Sequence, residues 1–235
     1  MKLIHLRENQ IDNRSNPLIH LIVQSVMRLI PRFKNLITSN DTQPIKKNMR
    51  VIVSGLPRSG TSMMMKILAV GGLPPLTDTL READIDNPQG YYEFEQVKQL
   101  DKGDAAWLVD AHGKTVKVIA PLLFHLPAQY HYQILFINRN INEVLASQRK
   151  MLEHRNEAAN DVSDELLASS LQQHVQQVKS WIAEQPNMQL LNLDYNTMLL
   201  DPMPQSNAIN QFLGGDLDEQ AMIRVINPML YRNRS

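Results

Sequence analysis

A loop rich in glycine and hydroxyl side chains, with an arginine inside it, is the stretch of this chain best suited to chemistry. Its sequence is Gly55-Leu56-Pro57-Arg58-Ser59-Gly60-Thr61-Ser62, and it follows an apolar, β-branched run at 51–53. That run is typical of a buried strand, and the residues after the loop are typical of a helix. A strand, a tight turn and a helix start direct several backbone N–H groups and a helix dipole at one point. We therefore expect residues 55–62, named here the phosphate loop, to bind phosphate or a related oxyanion.

The phosphate loop differs from that of ATP- and GTP-binding proteins in the position of its cation. The nucleoside-triphosphate pattern is G-x-x-x-x-G-K-[ST], whereas this chain has Thr61 in the lysine's place and Arg58 inside the loop. The planar guanidinium of Arg58 can hold phosphate or sulfate with two N–H groups. Each such charge-assisted bond contributes about 1.5–3 kcal/mol. A glycine turn with an incidental arginine is the simpler alternative.

A second junction between a strand and a helix carries another arginine and another serine. Arg139 directly follows an apolar strand predicted at 133–137, and Asn140 with Glu143 three residues later forms a capping-box pattern. Ser147 lies two turns further along this helix, on the same face as Asn140. Arg139 and Ser147 can thus converge on one anion at the carboxyl edge of the sheet. The alternative is a surface arginine and a serine that bonds its own helix backbone.

Together, and in this order, the two motifs resemble the donor-binding motifs of sulfotransferases that use PAPS (3′-phosphoadenosine 5′-phosphosulfate). The resemblance covers roughly residues 50–200 and is closest to bacterial-type enzymes. It implies an α/β protein with a three-layer P-loop-like fold, in which helices flank a central parallel sheet. It also implies PAPS as co-substrate and no metal. The donor-binding residues that it implies are Pro57, Arg58, Ser59, Gly60, Thr61 and Ser62 for the 5′-phosphosulfate, and Arg139 and Ser147 for the 3′-phosphate.

The resemblance also suggests which residues take part in catalysis. Arg58 would stabilise the leaving group as well as bind it. Lys117-Val118-Ile119 aligns with the Lys-Thr-His motif of the animal cytosolic enzymes, so we expect Lys117 to keep a donor contact although Ile119 replaces the histidine base. Other branches of the family use a carboxylate that follows the phosphate-loop helix, and Glu93 is our first candidate for the base. The further candidates are Asp78, Glu82, Asp84 and His112.

The elements that must position these residues follow from hydrophobic pattern and turn signals. We predict four strands, at 51–53, 114–119, 133–137 and 188–193. We predict helices from Thr61 to the Gly71-Gly72 stop, at 94–108, in a short turn at 122–126, from Asn140, and at 163–184, 204–213 and 217–226. Residues 73–90 are expected to form a polar loop beside the phosphate loop. Residues 1–47 are expected to form an N-terminal extension with an amphipathic helix, and residues 48–235 the sulfotransferase-like α/β domain.

Composition narrows the function classes. The 235 residues hold 24 Lys and Arg against 24 Asp and Glu, so the formal net charge is zero and no basic surface for nucleic acid is expected. The absence of cysteine excludes disulfides, thiolate metal sites and cysteine nucleophiles. The apolar runs are too short for a membrane span and the N-terminus does not resemble a signal peptide, so we expect a cytoplasmic protein. The seven histidines show no metal-ligand spacing.

Other functions stay open at this stage. One alternative is a P-loop nucleoside-triphosphate kinase or hydrolase, for which Asp194 is the one candidate to hold Mg²⁺. The other is a non-catalytic nucleotide-binding module. For a sulfotransferase the acceptor is a small molecule, a carbohydrate or a lipid, and the sequence does not choose among them. The animal enzymes' Gly-x-x-Gly-x-Trp-Lys motif is missing, so the adenine contacts are not predicted, and a homodimer is possible.

Overall fold

Four parallel strands form the centre of the protein. The computed structural model describes residues 49–78, 90–154 and 163–226, and the predicted N-terminal extension with its helix lies outside these ranges, as do Glu82 and Asp84. The strands are β1 (Met49–Gly55), β2 (Thr115–Lys117), β3 (His131–Asn138) and β4 (Met188–Asp194). Their order in the sheet is β2-β1-β3-β4, and each neighbouring pair is parallel. The predicted central parallel sheet is confirmed.

Helices flank this sheet. They are α1 (Thr61–Val70), α2 (Ile141–His154), α3 (Asp164–Ala183), α4 (Tyr195–Leu200), α5 (Pro202–Leu213) and α6 (Glu219–Arg224). Among the described residues, three 3₁₀ segments accompany them, at Glu95–Lys102, Ala106–Val109 and Ala120–His125. The helical region predicted at 94–108 is divided into two 3₁₀ segments, because Gly103 at φ 84° ends the first one in a left-handed conformation that a continuous helix does not allow.

The sheet has an apolar core on each face, which explains the continuous apolar runs of its strands. Val53 and Leu135 pack with Met64 of α1 and with residues of α4, α5 and α6. Ile52 and Phe136 point to the opposite face, where Val178 of α3 and residues of the 3₁₀ segments cover them. Successive strand residues alternate between the two cores as the pleat requires. The predicted three-layer α/β architecture is confirmed.

Strand register brings three junctions between a strand and a helix to one edge of the sheet. Gly55 pairs with Ile137, and Asn138 pairs with Asp194. The phosphate loop, the Arg139 junction and the start of α4 are therefore neighbours. The sequence did not predict α4, which begins where the Asp194 side chain accepts a hydrogen bond from the Thr197 backbone N–H at 2.7 Å. Asp194 acts as a helix N-cap in this structure.

Candidate active site

The phosphate loop places left-handed backbone next to a helix start. Arg58 has φ 70° and Gly60 has φ 104°, and α1 begins at the next residue, Thr61. The first turn of α1 contains no acidic side chain, and the first N–H groups of a helix have no intrahelical partner. A Cβ at Gly60 would lie 2.3 Å from a ring carbon of Tyr195, so that glycine is required at this position. The loop and the start of α1 thus have the strand, turn and helix geometry that the sequence predicted, with backbone N–H groups and a helix dipole directed at one point.

Arg58 joins the two predicted motifs. Its Nε donates to Ser147 Oγ at 2.9 Å, and its backbone carbonyl accepts from Arg139 Nη1 at 3.0 Å. Ser147 is 3% exposed, on the inner side of α2. The structure therefore brings Arg58, Arg139 and Ser147 together at the carboxyl edge of β1 and β3, although the first two are far apart in the sequence.

Arg139 is held by more residues than the sequence predicted. Its Nε donates to Glu143 Oε2 at 2.9 Å, and its guanidinium lies 4.4 Å from the centre of the Tyr195 ring. Glu143 also accepts from Asn196 Nδ2 at 2.8 Å. Burial raises the pKa of the Tyr195 phenol, which stays neutral at physiological pH.

These partners differ in how clearly the local sequence indicates them. The predicted helix cap is present, since Asn140 Oδ1 accepts from the Asn142 backbone N–H at 2.9 Å. The capping pattern did not predict the ion pair of Glu143 with Arg139, because Arg139 precedes α2 and lies outside the helix to which the four-residue spacing rule applies. Tyr195 and Asn196 had no local signal, because strand order alone brings them to Arg139.

Lys117 and Glu93 lie on the other side of the phosphate loop. Lys117 Nζ is 3.6 Å from Glu93 Oε1 and 3.4 Å from Ser62 Oγ, and it donates a hydrogen bond to the Tyr91 carbonyl. The Lys117 side chain is 9% exposed and that of Glu93 is 31% exposed. Two predicted catalytic side chains, Lys117 and Glu93, are thus in contact beside the start of α1.

The segment that carries Glu93 is anchored and locally strained. The Glu93 carbonyl accepts from Thr77 Oγ1 at 2.7 Å, and Ser62 Oγ donates to the Tyr91 carbonyl at 3.3 Å. Tyr92, between them, has φ 51°, which is uncommon for a residue with a side chain. This turn directs the Tyr91 carbonyl and the Glu93 carboxylate toward the same lysine.

The other candidates for the base are placed differently. Asp78 Oδ2 accepts from the Glu95 backbone N–H at 2.6 Å, at the start of the first 3₁₀ segment. His112 is exposed in the turn before β2. Ile119, at the position of the animal enzymes' histidine, packs against the core on the α3 face of the sheet. Among the described candidates, Glu93 is the carboxylate that contacts Lys117.

A cavity of about 150 Å³ lies beneath the phosphate loop, toward α3. Lys179 Nζ donates to Asn138 Oδ1 at 2.6 Å beside it, and burial lowers the pKa of this lysine. The Ser59 hydroxyl is buried at its wall with no hydrogen-bond partner among the described residues. The residues that line the cavity are Leu56, Ser59, Phe136, Ile137, Asn138, Arg139, Ile141, Val144, Gln172, Val175, Gln176 and Lys179.

Within 49–78, 90–154 and 163–226, no three His, Asp or Glu side chains are grouped in a way that could hold a metal ion. Over the same ranges, no helix is long and apolar enough to cross a membrane.

Comparison with known proteins identifies the family. The model of the sulfotransferase domain family matches residues 48–234, so this chain belongs to that family. It is a sulfotransferase, an enzyme that transfers a sulfuryl group to an acceptor, and the predicted activity is confirmed. No curated protein matches the chain.

Solved structures with a similar fold share little sequence with this chain. The sulfotransferase domain of the Synechococcus PCC 7002 olefin synthase is 16% identical, with 86% of this chain and 88% of that one covered and a TM-score of 0.47. A retinol dehydratase in complex with retinol and PAP is 17% identical, with 81% and 71% covered and a TM-score of 0.43. A sugar kinase from Janibacter sp. HTCC2649 is 14% identical, with 74% and 98% covered and a TM-score of 0.37. The family assignment depends on the family model alone.

Proposed function

We propose that this sulfotransferase takes the sulfuryl group from PAPS and transfers it to a hydroxyl or amine of a small-molecule, carbohydrate or lipid acceptor. The observation that carries the proposal is the contact of Arg58 with both Arg139 and Ser147. Through it the phosphate loop and the Arg139 junction adjoin, so that two arginines lie on one surface at the carboxyl edge of the sheet. A donor with an anionic group at each end of an adenosine fits such a surface, and the resemblance of both motifs to PAPS-binding motifs supports this choice.

The donor would be divided between the two motifs. Residues 57–62 would hold the 5′-phosphosulfate with backbone N–H groups and the Arg58 fork, and Arg139 with Ser147 would hold the 3′-phosphate. Since Arg58 Nε now donates to Ser147, a bound donor would replace this hydrogen bond with bonds to its own oxygens. A hydrogen bond from Arg58 to a charged phosphate oxygen is stronger than its present hydrogen bond to the neutral Ser147 hydroxyl.

Glu93 and Lys117 would carry the transfer itself. The acceptor oxygen or nitrogen forms a bond to sulfur while the bond from sulfur to the phosphate oxygen breaks, and its electron pair leaves with PAP. Glu93 takes the acceptor's proton, because its carboxylate is partly exposed and lies beside the phosphate loop. Lys117, at the end of β2 and beside the start of α1, and Arg58 stabilise the negative charge that develops on the transferred and leaving oxygens.

Replacing Glu93 with Gln tests this assignment. With sulfur-labelled PAPS and a panel of phenol, sugar and lipid-alcohol acceptors, we expect Glu93→Gln to lower turnover by about 10²–10⁴-fold, the usual contribution of a general base. PAP affinity should stay within a few-fold of the wild type. Glu95→Gln is the matched control, since Glu95 is an exposed carboxylate paired with Lys98 and should keep full turnover. Retention of most of the turnover by Glu93→Gln would exclude Glu93 as the base.

A further inference from the structure

A buried carboxylate lies inside the proposed donor site, where a negative charge by itself would weaken anion binding. Glu143 is 2% exposed and contacts both Arg139 and Asn196. A carboxylate beside Arg139 repels any phosphate that this arginine binds, most strongly where water is excluded. Its presence is compatible with donor binding only if it contributes something that offsets this repulsion.

The contacts of Arg139 indicate what that contribution is. Glu143 binds its Nε, the Arg58 carbonyl binds its Nη1, and the Tyr195 ring covers one face of the guanidinium. These three contacts come from three different elements and fix the plane of the group. The Nη2 atom has no hydrogen-bond partner among the described residues, so N–H donors remain for a ligand.

Glu143 also connects this arginine to the third junction of the sheet edge. Its second oxygen accepts from Asn196, in the first turn of α4, at 2.8 Å. The carboxylate therefore spans the start of α2 and the start of α4 and sets their separation at Arg139. A neutral side chain of the same size could accept one of these two bonds but would direct an N–H group at the other donor.

We propose that Glu143 is a positioning residue for donor binding, which holds the Arg139 guanidinium in the orientation that meets the 3′-phosphate. This inference rests on the proposed function, in which Arg139 binds that phosphate. Glu143 itself does not touch the donor. A flexible arginine would have to be ordered at each binding event, and ordering one such side chain costs up to about tenfold in affinity.

The test separates positioning from a general effect on stability by using two ligands that differ only in the 3′-phosphate. The full-length wild type, Glu143→Gln, Glu143→Ala, Arg139→Ala and the Glu143→Ala/Arg139→Ala double variant are titrated calorimetrically with PAP and with AMP. Glu143→Gln keeps the volume of the side chain and carries the test if Glu143→Ala unfolds. Thermal unfolding establishes that each variant is folded.

We expect Glu143→Gln to lower the ratio of PAP to AMP affinity by about tenfold, with AMP affinity within about twofold of the wild type. The double variant should lose no more of this ratio than Arg139→Ala alone, because Glu143 acts through Arg139. An unchanged or higher ratio in Glu143→Gln would overturn the inference, as would a further loss in the double variant. If the wild type does not prefer PAP, or if Arg139→Ala keeps the preference, the proposed function fails and the inference with it.

Discussion

Arg58 combines a strained backbone with a central position in the site. Its φ of 70° lies in the left-handed region, which costs a residue with a side chain about 1–2 kcal/mol. Its carbonyl accepts from Arg139 and its side chain donates to Ser147. Strain of this kind persists where the surrounding contacts determine the conformation, and such residues concentrate at functional sites.

Replacing Arg58 with Gly should separate binding from stability. Glycine relieves the backbone strain but adds about 0.5–1 kcal/mol of unfolded-state entropy, so we expect the free energy of unfolding to change by no more than about 1 kcal/mol. PAP affinity should fall by about 10–100-fold, since a charge-assisted bond contributes about 1.5–3 kcal/mol. Chemical denaturation and calorimetric titration measure the two quantities. Arg58→Ala is the control that loses the side chain and keeps the strain, and unchanged PAP affinity in both variants would refute the assigned role of Arg58.

At the scale of elements, the site depends on close packing of the phosphate loop against the β4–α4 junction. Gly60 is the last residue of the phosphate loop before α1, and the Tyr195 ring lies against its Cα while stacking on Arg139. A displacement of the loop would therefore also displace the arginine. The two motifs and the third junction form one packed unit rather than separate loops.

Gly60→Ala should disturb this unit, whereas a matched glycine elsewhere should not. Gly60 and Gly103 both have positive φ, but a Cβ at Gly103 would meet no atom within 4 Å. We expect Gly103→Ala to lower the free energy of unfolding by about 1–2 kcal/mol through strain, and Gly60→Ala by about 1–3 kcal/mol more through overpacking. Donor affinity should fall in Gly60→Ala and not in Gly103→Ala. Equal losses of stability in urea denaturation would contradict the packing described here.

Helix α3 contains a buried histidine that should make stability depend on pH. His174 is fully buried beside the Phe124 ring, and neither ring nitrogen has a hydrogen-bond partner among the described residues. Burial lowers its pKa, so the folded state holds it neutral while the unfolded chain takes up a proton near pH 6.5. Stability is therefore retained above this pH and falls as the pH drops below it.

His174→Leu should reduce this pH dependence. One histidine contributes a slope of at most about 1.4 kcal/mol per pH unit below about pH 6.5. We expect the wild type to lose more unfolding free energy between pH 7.5 and pH 5.5 than His174→Leu does. Urea denaturation at the two pH values gives the comparison, and identical losses in both proteins would show that other groups cause the dependence.

At the scale of the whole molecule, local sequence predicted the elements better than it predicted their contacts. All four strands were found because each contains a short apolar run between turn signals. Helix α4 was missed because two features outside its own six residues define it. The Asp194 side chain caps its start, and its buried side chains pack against residues of α1 and α5 such as Met65 and Ile209.

The same limit applies to the site. Residue type and spacing suggested Arg58, Arg139 and Ser147 as site residues, and the family resemblance added Lys117 and Glu93. They did not identify the contact of Glu143 with Asn196, which joins residues 53 apart in the chain. Strand order creates that contact, and a single sequence carries no direct signal for strand order.

The central claim is that the phosphate loop and the Arg139 junction together bind PAPS, and one titration tests it most directly. PAP and ATP with Mg²⁺ are titrated into the wild type and into Arg139→Ala. We predict tight PAP binding and weak ATP binding by the wild type, and a loss of about 10–100-fold in PAP affinity in Arg139→Ala, because charge-assisted bonds to the 3′-phosphate are removed. Binding of ATP that depends on Mg²⁺, with no preference for a 3′-phosphate and no effect of Arg139→Ala, would contradict the claim.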